Sequence, residues 1–316
     1  MSDDAHAPSM DHDHEHDAGP LVELVTVRDW LRYSLTRFNR ATIFCGHGLL
    51  TPFDEAAYLV TQQLALPLDR LELFLDACIP IEERIPLLET IDKRADERIP
   101  AAYLSGEAWL GDFSFRVDPR VIIPRSYFAR LLETGLAPWV GEPESVTSAL
   151  DMCTGSGCLA ILMAHVFPHA RITAIDLSPD ALDVAAENVA DYGLDSSIEL
   201  VESDLFGALG ESDRFDLILC NPPYVTAESM ETLPPEYLHE PRMALAAGED
   251  GLDLVRRLLT DAQFHLNSGG ILAVEVGHNR ELVEAAFPDT PFTWIGDQEG
   301  EDKIFLLTRE QLAGET

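Results

Sequence analysis

The sequence predicts an α/β fold: a parallel sheet flanked by helices, preceded by a small N-terminal helical domain and a linking β-hairpin. Three observations carry this expectation. Apolar residues recur at helical spacing from Leu21 to about Arg98, short alternating runs replace them between Pro100 and Pro124, and after about Ser145 strand-like and helix-like segments alternate. At 316 residues the chain is long enough for two domains. The expected division is residues 1–20 as a disordered acidic, His-rich tail, 21–100 as the helical domain, 101–126 as the hairpin linker and 127–316 as the α/β domain.

Each element has its reason. In the tail, Asp and His alternate with small residues, too few of them apolar to order a segment, and the alternating His12, His14 and His16 are assigned no function. The helical periodicity is carried by Val27, Trp30, Leu31, Ser34, Leu35 and Phe38, then by Ala56, Leu59, Val60, Gln63 and Leu64. Pro52, Pro67, Pro80 and Pro86 are expected at helix starts or in loops. The run from Trp109 to Val117 followed by Val121 to Ile123 predicts the hairpin. Strands are then expected at Val146 to Met152, Arg171 to Ile175, Ile198 to Val201, Phe215 to Leu219 and Gly270 to Val276. Helices fall between them at Gly157 to Phe167, Pro179 to Tyr192 and Leu252 to Leu266, with a closing strand pair near Phe292 to Ile295 and Lys303 to Leu307.

Charge narrows the function classes. A net charge of -35, with 21 basic residues among 56 acidic ones, sets up a field that repels polyphosphates and draws basic partners, or serves solubility. Direct nucleic-acid binding is not expected, because such binding rests on clustered Lys and Arg. Cys45, Cys78, Cys153, Cys158 and Cys220 are an odd number with no CxxC pair, so neither a disulfide frame nor a metal site is predicted. The N-terminus lacks a basic start before an apolar run, and no stretch approaches about 18 uninterrupted apolar residues. The expectation is a cytoplasmic protein with no membrane span.

A strand, then Asp151-Met152-Cys153-Thr154-Gly155-Ser156-Gly157, then a helix marks a ligand loop, because small residues let the chain turn tightly against a bound group. The helix that follows offers unpaired N–H groups to an anion such as a cofactor carboxylate. Asp176, ending the second strand, can accept both hydroxyl hydrogens of a ribose, while Ser178 before Pro179 also reads as a helix cap. Asp204 after the third strand is a further acceptor placed for an adenine amino group, or a cap in its own right. The spacing departs from the dinucleotide G-x-G-x-x-G, although Ala160 keeps that alternative open.

Asn221-Pro222-Pro223-Tyr224 follows the fourth strand. The lone pair of a conjugated amino group is delocalised, so methylating it requires acceptors that favour its pyramidal form. The Asn221 side-chain oxygen and the Pro222 carbonyl can each take one N–H, Pro223 helps hold the turn extended, and Tyr224 can cover the flat face of the group. No general base is nominated. Asn-Pro-Pro alone is also a common turn; its position after the fourth strand of a parallel sheet, with a glycine loop after the first, is where such sheets bind ligands.

On these residues the chain resembles the Rossmann-like, S-adenosylmethionine-dependent methyltransferases, and within them the bacterial protein-glutamine amide methyltransferases. The resemblance extends to Tyr103 to Glu107, Arg120 to Ser126, Glu236 to Pro241 and Gly248 to Leu252. Cys153 and Cys158 framing the glycine loop, and Tyr237-Leu238-His239-Glu240-Pro241, resemble the branch acting on the third large-subunit ribosomal protein rather than the branch acting on peptide-chain release factors. Arg125-Ser126-Tyr127-Phe128 departs from the pattern, in which a proline often follows the serine. The resemblance implies S-adenosyl-L-methionine as methyl donor, held by Asp151, Cys153, Thr154, Gly155, Ser156, Gly157, Asp176, Asp204 and Asn221. It implies a glutamine side chain held by Asn221, Pro222, Pro223 and Tyr224, with Asn221, Pro222 and Tyr224 catalytic, and a helical domain that helps select the substrate protein. The rivals are the same chemistry on a release factor, a nucleic-acid amino methyltransferase acting on a flipped base, and a non-catalytic factor that binds a basic ribosomal protein.

Overall fold

The computed structural model describes residues 19–296 and 302–314, so the expected tail lies almost wholly outside the described residues. The N-terminal region is built from α1 (Pro20–Glu23), α2 (Val27–Ala41), α3 (Pro52–Gln63), α4 (Ile81–Asp96) and α5 (Ala101–Ser105). Thr26 caps α2 in a reciprocal pair with Asp29, and Val27, Trp30, Ser34 and Phe38 form its buried stripe. Thr51 caps α3, with Pro52 in its first turn. Pro86, expected at a helix start or in a loop, instead lies inside α4. The hydrogen bond it forgoes is offset by the face of α4 that buries Leu87, Ile91, Arg94 and Ala95.

The hairpin is shorter than the sequence suggested: β1 (Glu107–Leu110) and β2 (Phe113–Arg116) pair antiparallel, turning at Gly111 in left-handed backbone, while residues 121–123 are not a strand. Asn188 explains where the hairpin goes. Its amide accepts from Arg116 N (2.7 Å) and donates to the carbonyls of Arg116 (3.1 Å) and Ser156 (2.9 Å), tying the hairpin to the glycine loop.

The remaining elements are α6 (Phe128–Glu133), β3 (Ser148–Met152), α7 (Cys158–Val166), β4 (Arg171–Asp176), α8 (Pro179–Asp191), β5 (Ile198–Glu202), β6 (Phe215–Cys220), α9 (Ala227–Thr232), α10 (Asp253–Asp261), β7 (Leu266–Glu275), α11 (Arg280–Ala286), β8 (Thr293–Gly296), β9 (Asp302–Thr308) and α12 (Arg309–Ala313). The seven-stranded sheet has the order β5-β4-β3-β6-β7-β9-β8; its first five strands are parallel, β9 runs against them, and β8, antiparallel to β9, returns to their direction. This is the Rossmann-like arrangement the sequence predicted.

One apolar layer joins α6, α7 and α8 to one face of the sheet, and a second joins α10 and α11 to the other. The chain leaves β3 toward β4 and β5, then returns to β6 on the opposite side, so strand order reverses between β3 and β6. The crevice beyond their C-terminal ends is the ligand position of open α/β sheets. Among the described residues no helix is long and apolar enough to cross a membrane.

Candidate active site

A cavity of about 710 Å³ opens at that crevice. Its size is that of a small-molecule site rather than a crack between packed elements. Cys153, Thr154, Gly155, Ser156, Asp176, Asp204 and all of Asn221 to Tyr224 line it, whereas Asp151 and Gly157 do not.

The glycine loop is shaped by left-handed backbone at Cys153, Gly155 and Gly157. Asp151 lies beneath the loop, fully buried. Its Oδ2 accepts from the Thr154 hydroxyl (2.5 Å) and from Ala160 N (3.0 Å), which ties the end of β3 to the first turn of α7. Burial pushes its carboxyl up to about 7. Gly157 packs toward α8, where an added Cβ would stand 3.2 Å from the Cβ of Ala185. Asp176 closes the other side of the loop, its carboxylate accepting from Gly155 N (2.8 Å) and Ser178 N (2.9 Å). Each of its oxygens retains acceptor capacity beyond these bonds, and the residue lines the cavity. Asp204 is half exposed, and its Oδ1 takes Arg257 at 2.9 Å.

On the β6 side, Tyr224 is fixed through its carbonyl, which accepts from Asn279 Nδ2 at 2.6 Å. Its ring lies against Gly277, where a Cβ would come within 2.7 Å of the ring. Val225 then bridges to residues 245–247, Val225 N donating to Leu245 O and Ala247 N to Val225 O. The turn thus presents Asn221 and Pro222 to the cavity from a backbone anchored just beyond them.

Three further features were given no role from the sequence, although Arg125, Glu236, Tyr237 and Glu240 fell in segments that carried the resemblance. Glu275, ending β7, lines the cavity; a lone carboxylate closing the apolar run Ile271 to Val274 was the available signal. Arg125 forms a two-bonded pair with Glu240 (2.5 and 2.6 Å), and its guanidinium lies 5.2 Å from the centroid of the Tyr237 ring at the cavity rim. Burial works against the charge of Glu240, but His47 (3.7 Å) and Arg125 hold its carboxyl down at about 2. Finally, Arg94 in α4 is fully buried, bonded to Glu55 in α3 and to Glu236, which stands next to Tyr237. Arg98 and the Phe44 N–H reach the same Glu236 oxygen. The helical region therefore grips the segment that forms one wall of the cavity.

The cavity has the size for S-adenosylmethionine and places the Asp176 carboxylate and the first turn of α7 along one side, while the loop N–H groups of Thr154, Gly155 and Gly157 are bonded to Ile175 O, Asp176 Oδ2 and Thr154 O. The family model described as Methyltransferase small domain matches residues 140–248. The ribosomal protein uL3 glutamine methyltransferase of Neisseria meningitidis serogroup A is 55% identical over 293 residues, spanning 93% of this chain and 96% of that protein. Its namesake in Bordetella pertussis is 54% identical over 290 residues (92% and 97%), and that of Bradyrhizobium diazoefficiens 45% over 296 (92% of each). Among solved structures, the T. thermophilus 16S rRNA N2 G1207 methyltransferase covers 64% of this chain and 49% of its own at 20% identity and a TM-score of 0.47, a resemblance too coarse to bear on substrate. Identity of this depth over nearly the whole length means that the chain belongs to the family of ribosomal protein uL3 glutamine methyltransferases.

Proposed function

We propose that this protein transfers the methyl group of S-adenosylmethionine to the side-chain amide nitrogen of a glutamine in ribosomal protein uL3. The observation that carries the reading is the meeting, in one cavity, of the glycine loop with Asp176 and the Asn221-Pro222-Pro223-Tyr224 turn. When bound, the donor supplies a methyl group on a sulfonium. The protein supplies position and polarity: Asn221 Oδ1 and the Pro222 carbonyl each accept one amide N–H, drawing the nitrogen out of conjugation, and Tyr224 covers the amide plane. Holding nitrogen and methyl in line contributes up to about 7–11 kcal/mol in the best cases.

The cations at the cavity favour a protein substrate over a nucleic acid. Arg120 is paired with Asp118 and Arg125 with Glu240, so neither is offered to a phosphate backbone. The acidic chain suits a basic ribosomal protein, and the selecting role we give the helical region is supported by its Gly46 lining the cavity and its Phe44 touching Tyr237. The setting is the cytoplasm, where ribosomal proteins are made. The test is to incubate the protein with S-adenosylmethionine and unmethylated uL3, a release factor or RNA, and to read the masses. One methyl on a glutamine of uL3 alone is the expected result; transfer to the release factor or RNA with none to uL3 refutes the reading.

A further inference from the structure

Glu275 stands one residue beyond Val274, which pairs with Cys220, so Asn221 and Glu275 are side by side at the C-terminal edge of the sheet. Neighbouring strands lie about 4.8 Å apart. The Glu275 side chain is fully buried. Its Oε2 accepts from Ser126 Oγ (2.6 Å) and Tyr127 N (3.0 Å), anchoring the loop before α6. Oε1 has no hydrogen-bond partner among the described residues, although Glu275 lines the cavity. A buried carboxylate oxygen without a donor is costly, and one kept at a cavity wall beside Asn221 calls for a donor brought by the substrate.

The charged and titratable groups around it are Arg125 and Tyr127 from the anchored loop, Lys303 from β9, Tyr224 from the turn after β6, and His278 just beyond β7. Arg125 is engaged by Glu240, and Lys303 donates to the Tyr127 hydroxyl at 2.6 Å. The other carboxylates lining the cavity, Asp176 and Asp204, stand on the glycine-loop side.

We propose that Glu275 is a catalytic residue of the transfer, its Oε1 receiving the proton that the amide nitrogen sheds as it is methylated. The inference rests on the glutamine-amide reading above. The nitrogen lone pair forms the N–C bond, the C–S bond breaks with its pair staying on sulfur, and the N–H proton that Asn221 Oδ1 accepts, shared with the adjacent Glu275 Oε1, passes to the carboxylate and from there to water. The product is a neutral N-methyl amide. Asn221 Oδ1 and the Pro222 carbonyl accept hydrogen bonds but are far too weakly basic to keep a proton, whereas the Glu275 carboxylate can take it as the N–C bond forms and hold it afterwards. Burial, partly countered by Ser126 and Tyr127, pushes Glu275 up to about 7, where a group both takes and returns a proton near neutrality.

The test is Glu275→Gln, whose amide oxygen can still accept from Ser126 and Tyr127 while its cavity-side atom turns from acceptor to donor. With unmethylated uL3 as substrate, kcat near neutral pH is expected to fall about 100-fold, with KM for uL3 and Kd for S-adenosylmethionine near wild type. Wild-type kcat should also fall as pH drops through about 7, and the variant should lack this acid limb. Near-normal turnover in the variant, a surviving acid limb, or a flat wild-type profile overturns the proposal. So does weakened S-adenosylmethionine binding, which would give the oxygen to the donor's ammonium group. The wild-type profile needs no variant, so misfolding of Glu275→Gln does not shield the proposal. A wild-type enzyme that leaves uL3 unmethylated overturns the parent reading first and is recognised before any variant is made.

Discussion

Replacing Arg94 with Met should cost far more than the loss of an ordinary ion pair. The guanidinium is fully buried and bonds Glu55 at 2.5 and 3.2 Å, Glu236 at 3.1 Å and the Phe44 carbonyl at 2.9 Å. After the change Glu236 keeps Arg98 and the Phe44 N–H, but Glu55 keeps no cation among the described residues. A buried carboxylate stripped of its partner costs about 3–5 kcal/mol, a large share of the roughly 5–15 kcal/mol that holds a folded protein together. Urea unfolding near neutral pH reads this directly as a fall in midpoint at constant slope. The double variant Arg94→Met with Glu55→Met should recover most of the loss, because replacing both partners of a buried pair by apolar groups is close to neutral. A single-variant cost below about 1 kcal/mol, the range of exposed pairs, or a double variant no better than the single, would refute the reasoning.

Asn221→Ala is expected to abolish methyl transfer while calorimetry shows S-adenosylmethionine binding largely kept; near-normal turnover would remove Asn221 from the chemistry. Gly277→Ala should raise KM for uL3 or lower kcat with little effect on donor affinity, since its Cβ would press within 2.7 Å of the Tyr224 ring from left-handed backbone; unchanged steady-state kinetics would count against Tyr224 as the substrate cover. Burial holds Asp151 and Glu275 each at about 7, above their ordinary 3.8 and 4.5. The native state therefore binds more protons than the unfolded chain through that window, and these two groups stabilise fully below it and progressively less as pH rises to about 7. Unfolding free energy should drop by several kcal/mol, to order of magnitude, between about pH 5 and 8, and Asp151→Asn should flatten the slope; a rise in stability over that range would contradict the assignment.

Sequence periodicity located the sheet well because parallel strands buried on both faces read as apolar runs, as in Ala149-Leu150 and Leu217 to Cys220. It misjudged edges where local chemistry overrides pattern. The apolar residues 121–123 looked like a strand, yet the Ile123 N–H is satisfied by Glu240 Oε1 (3.0 Å) rather than by a ladder. The helix expected to reach Leu266 ends at Asp261, and β7 begins at Leu266 because Phe215 N already pairs with the His265 carbonyl. The short helices α6, α9 and α11 carry too few turns to show a period. At the site, the loop and turn were legible because glycine, proline and a strand-end carboxylate are rare enough in combination to stand out. The grip of Arg94 on Glu236 spans 142 positions and could not be read, since either residue alone is unremarkable in an amphipathic helix or loop.

That long-range grip bears on how substrate choice and chemistry are joined. Glu236 and Glu240 lie four residues apart in one segment, yet they enter different arginine sites: Arg94 and Arg98 of the helical region, and Arg125 of the loop before α6. Between them sits Tyr237, its ring in tilted contact with Phe44 and His47 and under the Arg125 guanidinium. The cavity wall is thus held from two sides by fixed, mostly buried charge pairs rather than by a pliable apolar contact, and a displaced α4 would carry Tyr237 with it. Under the proposed function, a substrate protein seating on the helical region would meet a cavity rim fixed in advance, which keeps small the ordering cost of bringing a glutamine side chain to the methyl donor.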